Sequence, residues 1–325
     1  MSTFIRRQEV AHAVGAAGRV TLRVTDADLR ITGVPGDTAE IVASFEITAG
    51  SDEEASRIFD AVKLRVDTGA GQLTVEQREE NGPNPLLRLL GRRGGATLEL
   101  EARVPSGAAL RVESVSGDVS THNLSGEQRY AAVSGDLVLV DAAGAVRLNT
   151  VSGDAVLRAR AALSLRAETV SGDLGVSTPR FDLLRATTVS GDVDLEGALR
   201  PGGEYRIETV SGDVAFAPVG AATFEVRGLS SDVSSDIDHR VEGRSDRRRV
   251  IIGQGGPELV FSSMSGDFHV RRPRHFDPDT DPAPDGDRAT APVQQVQAPD
   301  ELDILRALER GEIDVEEAAR RLGRS

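Results

Sequence analysis

The sequence predicts an all-β protein, a single-chain β-solenoid of about eight coils of roughly 19 residues each, followed by a small α-helical hairpin. Three observations support this prediction. The tetrapeptide Val-Ser-Gly-Asp recurs at nearly constant intervals, apolar and polar residues alternate on both sides of it, and only 3% of the residues are aromatic, with no Trp. Such a composition suits a narrow core of stacked aliphatic side chains.

The repeat occupies the middle of the chain. The tetrapeptide stands at 115–118, 133–136, 151–154, 170–173, 189–192 and 210–213, and in altered form at 229–232 and 264–267. Successive intervals are 18, 18, 19, 19, 21, 19 and 35 residues, so the last interval holds an insertion. A fixed period of this kind indicates that each repeat supplies one coil and buries its apolar face against its neighbours.

Each coil is predicted to be a strand, a tight bend and a second strand. In the coil around Val170, Leu165 and Ala167 precede the bend and Leu174 and Val176 follow it, alternating with more polar residues. The two alternations are out of phase by one residue, so we expect the chain to turn a corner at the Val. On this interpretation both Val170 and Leu174 face the interior.

The repeated aspartates are the residues that the fold is expected to bring together. We expect them about one strand spacing apart, ~4.8 Å, along one edge. Their carboxylates could bind backbone amides and Ser hydroxyls, or form a row of weak sites for divalent cations. This repeat turn ladder consists of Asp118, Asp136, Asp154, Asp173, Asp192 and Asp213.

Residues 1–107 are predicted to be an irregular β region that contains one short helix and the start of the solenoid, and residues 108–272 to be the repeat solenoid. The helix should begin at Ser51, because an N-capping Ser is followed there by three acidic residues. Residues 81–95 carry four leucines among arginines. That pattern fits an insertion that packs its leucines locally, or a segment that contacts a partner or a membrane.

The carboxyl-terminal part is predicted to be a linker and a hairpin. Residues 273–299 hold six prolines and almost no large apolar residue, which is typical of a disordered linker. Residues 300–325 predict two short helices whose apolar stripe must pair with another copy, with the solenoid or with another protein. The predicted association stripe is Leu302, Leu305, Leu308, Ile313, Val315 and Leu322.

Composition limits the partners. The net charge of −14 argues against nucleic acid, and the absence of Cys excludes disulfides and thiolate metal sites. No stretch approaches the ~20 apolar residues of a membrane-spanning helix. No secretory signal is recognisable at the start, so a cytoplasmic protein is expected, with association at the cell surface by an unrecognised route as the alternative.

Catalysis is not predicted. The five histidines fall at different positions of the repeat, and the ladder aspartates are equivalent, whereas acid-base chemistry needs carboxylates in different environments. We therefore assign no catalytic, cofactor-binding or metal-ligating residue and no cofactor. The ligand is not identified by the sequence. An intracellular regulatory binding protein and a carbohydrate-active β-helix enzyme stay as alternatives.

The Val-Ser-Gly-Asp ladder, preceded by Val-Pro-Ser-Gly at 104–107, resembles the bacterial putative-adhesin domain family of unknown function over residues 18–272. Residues 302–322 resemble the short C-terminal oligomerisation domains that accompany such solenoids. This resemblance implies a non-enzymatic scaffold or adhesin-like interaction protein, which in some relatives belongs to cell-envelope stress sensing. It also implies association of the chain through residues 300–325.

Overall fold

The structure, a computed structural model, describes residues 2–77, 96–228, 231–244 and 247–273. The chain divides into two compact units, Met1–Asp279 and Thr280–Ser325, and all the described residues belong to the first. Within these residues there are 21 strands and one helix. The linker after Pro273, the predicted hairpin and the leucine-rich segment 81–95 lie outside the described residues.

The elements follow one another along the chain in three groups. The first group is β1 (Ser2–Ala13), β2 (Arg19–Asp26), β3 (Asp28–Val34), β4 (Thr38–Ala49), α1 (Asp52–Val62), β5 (Arg65–Gly69), β6 (Gln72–Glu76) and β7 (Ala96–Pro105). The central group is β8 (Ala109–Ser116), β9 (Val119–His122), β10 (Gln128–Ala132), β11 (Leu137–Thr150), β12 (Ala155–Ser171), β13 (Leu174–Ser190) and β14 (Val193–Ser211). The last group is β15 (Val214–Pro218), β16 (Ala222–Gly228), β17 (Val233–Ser235), β18 (His239–Arg244), β19 (Arg247–Ile252), β20 (Glu258–Ser263) and β21 (Phe268–Val270).

The central strands form a parallel β-solenoid, which confirms the predicted fold class. Each coil has one segment before its Val and one after its Asp, and each segment pairs in parallel with the same segment of the next coil. Leu165 is in register with Leu184, for example, and Ala155 with Leu174. We refer to the stacked segments before the Val as the first sheet and to those after the Asp as the second sheet.

The core lies between the two sheets. Leu165, Leu184, Leu157 and Leu195 are completely buried, as the alternation predicts. A fully buried aliphatic side chain stabilises the fold by about 1.5–3 kcal/mol, and every coil contributes several. The polar exception is Gln128, which is also completely buried; its side-chain amide donates to the carbonyl of Ala143, and its Oε1 accepts a hydrogen bond of 3.0 Å from Tyr130.

The order of the coils in space differs from their order in the sequence at both ends. At the carboxyl end, β20 lies between β14 and β16, and β21 lies between β15 and β17. The final coil of the sequence is therefore the penultimate coil of the stack. At the amino end, β2 lies between β8 and β6, and β3 between β9 and β7, so the same exchange occurs there.

Antiparallel strands close both ends. At the amino end β4 pairs with β7 and β1 with β4, while β5 pairs with β6. Helix α1 packs on this end, with Ser51 as its N-cap as predicted and Phe59 edge-on to Phe45 at 5.3 Å. At the carboxyl end the insertion before β20 is the hairpin of β18 and β19, and β19 pairs with β16. Such pairing covers parallel edges that would otherwise extend to another chain.

The repeated Val does not face the core, and this expectation was wrong. Val170 is 48% exposed, whereas Leu174 is 3% exposed. The alternation that buries Leu165 and Ala167 continues without a break to the end of the strand, so residue 170 points outward. The corner lies in Ser-Gly-Asp, one residue later than we expected.

Candidate functional site

The repeat aspartates form a continuous row of hydrogen bonds along the edge where the chain turns. The backbone N–H of Asp136 donates to Oδ1 of Asp118 at 2.9 Å, and the same bond links each later Asp to the one before it, at 2.8 to 2.9 Å, as far as Asp213. The row also includes Asp28 at one end. At the other end it passes to Asp267 and then to Asp232. Each carboxylate thus satisfies a backbone donor of the next coil.

The Gly of each repeat permits the coils to approach this closely. Gly153 has φ of +113°, and a Cβ atom there would lie 2.2 Å from the carbonyl oxygen of Gly135. The adjacent coils repeat this contact. Glycine is required for both reasons, because other residues rarely adopt that φ and because a side chain would collide with the backbone of the preceding coil.

The row of aspartates is therefore held by backbone amides. In the part of the chain that the structure describes, no group of three or more acidic or histidine side chains is arranged to hold a metal ion. The hydrogen bonds between coils use Oδ1, so Oδ2 of each aspartate is a second acceptor on the surface. The result is a line of negative charge at one strand spacing per carboxylate.

Directly beside the aspartates lies a row of exposed apolar side chains, which we call the valine row. Backbone bonds hold it in register: Ser134 N–H donates to the carbonyl of Val115, and Ser152 N–H to that of Val133, both at 2.9 Å. Its members are between 45% and 58% exposed. They are Val115, Val133, Val151, Val170, Val189, Val210 and Met264.

A groove of about 1200 Å3 runs along part of the valine row. Four of its valines, from Val115 to Val170, line one side. The residues two before the Val line it as well: Ala131, Asn149 and Thr187 have short side chains, whereas Glu113 and Glu168 are charged. The surface is therefore a long, open and mostly apolar trough that also carries Glu113 and Glu168.

Charged residues of the amino-terminal strands lie at one end of this groove. Arg23 pairs there with Glu76 at 2.6 Å and with Glu113 at 2.8 Å. The hydrogen bond that Arg23 donates to Glu76 is the largest of several effects that raise the pKa of Arg23, with the charge of Glu113 next. These two ion pairs hold the Arg23 side chain between two carboxylates at the end of the groove.

A row of arginines lies on the same face, four residues before each Val. The six side chains are in register on adjacent parallel strands, and we call them the arginine row: Arg111, Arg129, Arg147, Arg166, Arg185 and Arg206. Four of them pair with neighbouring glutamates, for example Arg129 with Glu127 at 2.6 Å. Among the described residues, Arg147 and Arg166 form no ion pair.

The sequence reasoning missed both the exposure of the valine row and the arginine row. The signal for the arginines was available, because Arg stands at the same position of six successive repeats. The face thus carries three parallel rows in a fixed order, arginine, valine and aspartate.

The Toastrack DUF4097 family model matches residues 43–271, which is more than two thirds of the chain. The chain belongs to this family. The matched part of this Toastrack protein contains all three rows.

Solved structures similar to the Toastrack chain were also found. One, described as a "putative adhesin" from Bacteroides fragilis NCTC 9343, is 10% identical, covers 82% of this chain and 97% of its own, and has a TM-score of 0.43. Another "putative adhesin", from Parabacteroides distasonis ATCC 8503, is 11% identical, with coverage of 83% and 97% and a TM-score of 0.36. A "putative lipid binding protein" from the same organism is 10% identical, with coverage of 82% and 97% and a TM-score of 0.33. No curated protein matches the chain.

The last two coils of the stack carry a Ser-His-Asp arrangement that sequence reasoning also missed. Ser234 Oγ lies 2.8 Å from Nδ1 of His269, and Nε2 of His269 lies 3.2 Å from Oδ2 of Asp236. The residue types are those of a nucleophilic triad. All three side chains are open to solvent and lie outside the groove, so the arrangement joins β17 to β21 without shielding a reaction from water.

The remaining predictions for this Toastrack chain concern its tail and membranes. The association stripe of residues 302–322 lies outside the described residues. Among the residues that the structure does describe, no helix is long and apolar enough to cross a membrane.

Proposed function

We propose that this Toastrack protein is a non-enzymatic scaffold of adhesin-like character, and that residues 300–325 bring several copies, or another protein, together. The observation that carries the proposal is the exposed valine row. Seven apolar side chains in one line, each about half exposed, form a surface of the kind that marks sites of protein association. A role in the cell-envelope stress response follows from the family resemblance and belongs to the same proposal.

The tail contributes through avidity. As a flexible coil, the 27-residue linker predicted for 273–299 would have a root-mean-square span of roughly 30 Å, which is enough for the tail to reach a second molecule. Tethering raises the effective concentration of the solenoids, and weak contacts along their faces then add.

Light scattering at low micromolar concentration tests the tail. We expect the full chain to form oligomers, and a chain that ends at Asp279, the boundary of the first compact unit, to be monomeric. Leu305→Asp in the full chain should reproduce the loss. Monomers in both forms, with the shorter one less stable, would instead mean that the tail caps the solenoid.

A second measurement tests the absence of catalysis. We expect a fluorophosphonate probe not to label the protein, because Ser234 and His269 lie on an open surface. Labelling that disappears in Ser234→Ala would favour a hydrolase and overturn the non-enzymatic proposal.

A further inference from the structure

The valine row lies between two rows of opposite charge that have the same period. In each of six successive coils, Arg stands four residues before the Val and Asp three residues after it. In the fourth coil these residues are Arg166, Val170 and Asp173. All three rows advance by one strand spacing per coil, ~4.8 Å, because they are built on the same parallel strands.

We propose that this face is a docking surface for a second copy of the same chain, related to the first by a two-fold axis parallel to the rows. Such a rotation brings the two valine rows together. It also exchanges left and right, so the arginine row of each copy lies opposite the aspartate row of the other. The inference deepens the proposed function and rests on it, because it names the partner of the exposed face.

Charge selects this orientation over the other two-fold arrangement. A two-fold axis perpendicular to the rows would also join the valine rows, but it would place aspartates opposite aspartates and arginines opposite arginines. Like charges at such distances repel, whereas the parallel arrangement pairs opposite charges coil by coil. Both copies have the same rise per coil, so if Arg of one copy lies opposite Asp of the other in one coil, it does so in every coil.

The individual side chains suit this role. Arg147 and Arg166, in the centre of the row, form no ion pair among the described residues. The other four arginines have exposed glutamate partners, and such pairs contribute little stability, so they can be exchanged at low cost. Opposite them, each aspartate keeps Oδ2 available while Oδ1 holds the adjacent coil.

The shape of the face is also self-complementary. Two residues before the Val, the groove is lined by the short side chains of Ala131 and Asn149 in two coils and by Glu113 and Glu168 in two others, while the edge that follows each Val consists of Ser, Gly and Asp. In the parallel arrangement the edge of each copy lies over the groove of the other. The contact is isologous, so it closes on a dimer and does not propagate.

Disulfide trapping in the full chain tests the contact, because the natural sequence has no Cys. On mild oxidation, Val151→Cys should give a covalent dimer, since residue 151 faces residue 151 of the other copy. Val241→Cys is the matched control, because Val241 is 51% exposed, against 48% for Val151, but lies on the terminal hairpin. Dimer yields no higher for Val151→Cys and Val133→Cys than for this control would overturn the proposal.

The direction of the two copies is tested with mixed variants. When Val115→Cys and Val210→Cys proteins of different mass are mixed and oxidised, the parallel arrangement yields 115–115 and 210–210 dimers. A predominance of 115–210 dimers would show the antiparallel arrangement and refute the proposal. Adding Arg147→Asp and Arg166→Asp to Val151→Cys should lower its dimer yield several-fold, whereas Arg240→Asp should leave it unchanged.

These results separate this inference from the proposed function. If the full chain forms oligomers that disappear when the tail is removed, but cross-linking at the valine row stays at the control level, the scaffold function stands and the docking surface is wrong. If cross-linking occurs as expected and removal of the tail changes nothing, the tail's role is wrong and the docking surface stands.

Discussion

The backbone N–H of Asp173 donates to Oδ1 of Asp154 at 2.8 Å, so the charged side chain of one coil satisfies a backbone donor of the next. This contact explains why like charges can stand in a row at a distance where they repel. Each carboxylate accepts a charge-assisted hydrogen bond that offsets the repulsion.

We expect Asp154→Ala to destabilise the solenoid by about 1–2 kcal/mol, because it removes the acceptor of the Asp173 amide. Asp154→Asn should retain wild-type stability or exceed it, since the amide oxygen still accepts and one repulsive charge is gone. Urea unfolding measures both. Asp238→Ala, at an exposed aspartate outside the row, is the control. If the Asn and Ala variants lose equal stability, the charge rather than the acceptor is what matters.

The repeat glycines make a second prediction possible. Gly153→Ala should destabilise the protein by more than about 2 kcal/mol, because φ is +113° and the new Cβ would lie 2.2 Å from the carbonyl oxygen of Gly135. Gly175→Ala is a matched control, since no atom lies within 4 Å of its Cβ position and its φ is ordinary. The control should change stability by less than about 1 kcal/mol. Similar thermal midpoints for the two variants would contradict the close packing of the coils.

Two apolar residues of one repeat should respond differently to the same substitution. Val170→Asp should change the free energy of unfolding by no more than about 0.5 kcal/mol, because residue 170 is 48% exposed. Leu174→Asp should cost several kcal/mol, about 3–5, since a charge would enter a site that is 3% exposed. Urea titration of both variants decides this, and equal losses would mean that the valine row is buried.

The pH dependence of the carboxyl end depends on Glu225. This carboxylate is almost completely buried and pairs with Arg227 and, at 2.8 Å, with Arg247. The hydrogen bond from Arg247 is the largest effect that lowers the pKa of Glu225 below its ordinary value of 4.5. A lowered pKa in the folded state contributes stability that is fully present above pH 4.5 and is lost as the pH falls through the folded-state value.

We therefore expect Glu225→Gln to lower the thermal midpoint at pH 7, and this difference from wild type to shrink as the pH falls from 4.5 through the lowered folded-state pKa of Glu225. Glu242→Gln, at a half-exposed glutamate of the neighbouring hairpin, should show little difference at any pH. If the difference in thermal midpoint between wild type and Glu225→Gln grew as the pH fell, the pKa of Glu225 could not be lowered in the folded state, and the prediction would be wrong.

Much of the fold could be predicted because the apolar positions that alternate with polar ones in each repeat are the positions that each coil buries. Leu165 and Leu174 alternate with polar residues, and helix α1 begins where Ser51 precedes three acidic residues. The exposure of Val170 could also have been predicted, since it continues the alternation of its own strand. The prediction went wrong because it assumed that the chain turns at the Val, instead of continuing the strand's alternation of buried and exposed residues as far as that residue.

Other features could not be predicted, because a repeat defines the inside of a coil but not its neighbours. Nothing in the Met264 repeat indicates that it lies between the Val210 and Leu229 coils rather than beyond the Leu229 coil. Ser234, Asp236 and His269 come together on these two coils. A sequential stack would have placed these residues in the same two coils, but without a signal that their side chains face each other.

The exchange of coils at the carboxyl end has a consequence for synthesis on the ribosome. When the nascent chain has emerged through residue 235, both strands of the outermost coil exist, but β20 and β21, which must lie beneath them, have not been made. Strands β16 and β17 therefore either remain unpaired until β20 and β21 are made, or pair temporarily with β14 and β15 and are displaced later. Translation must pass residue 270 before this end can close, so a stop codon before β20 would release a chain with an open parallel edge.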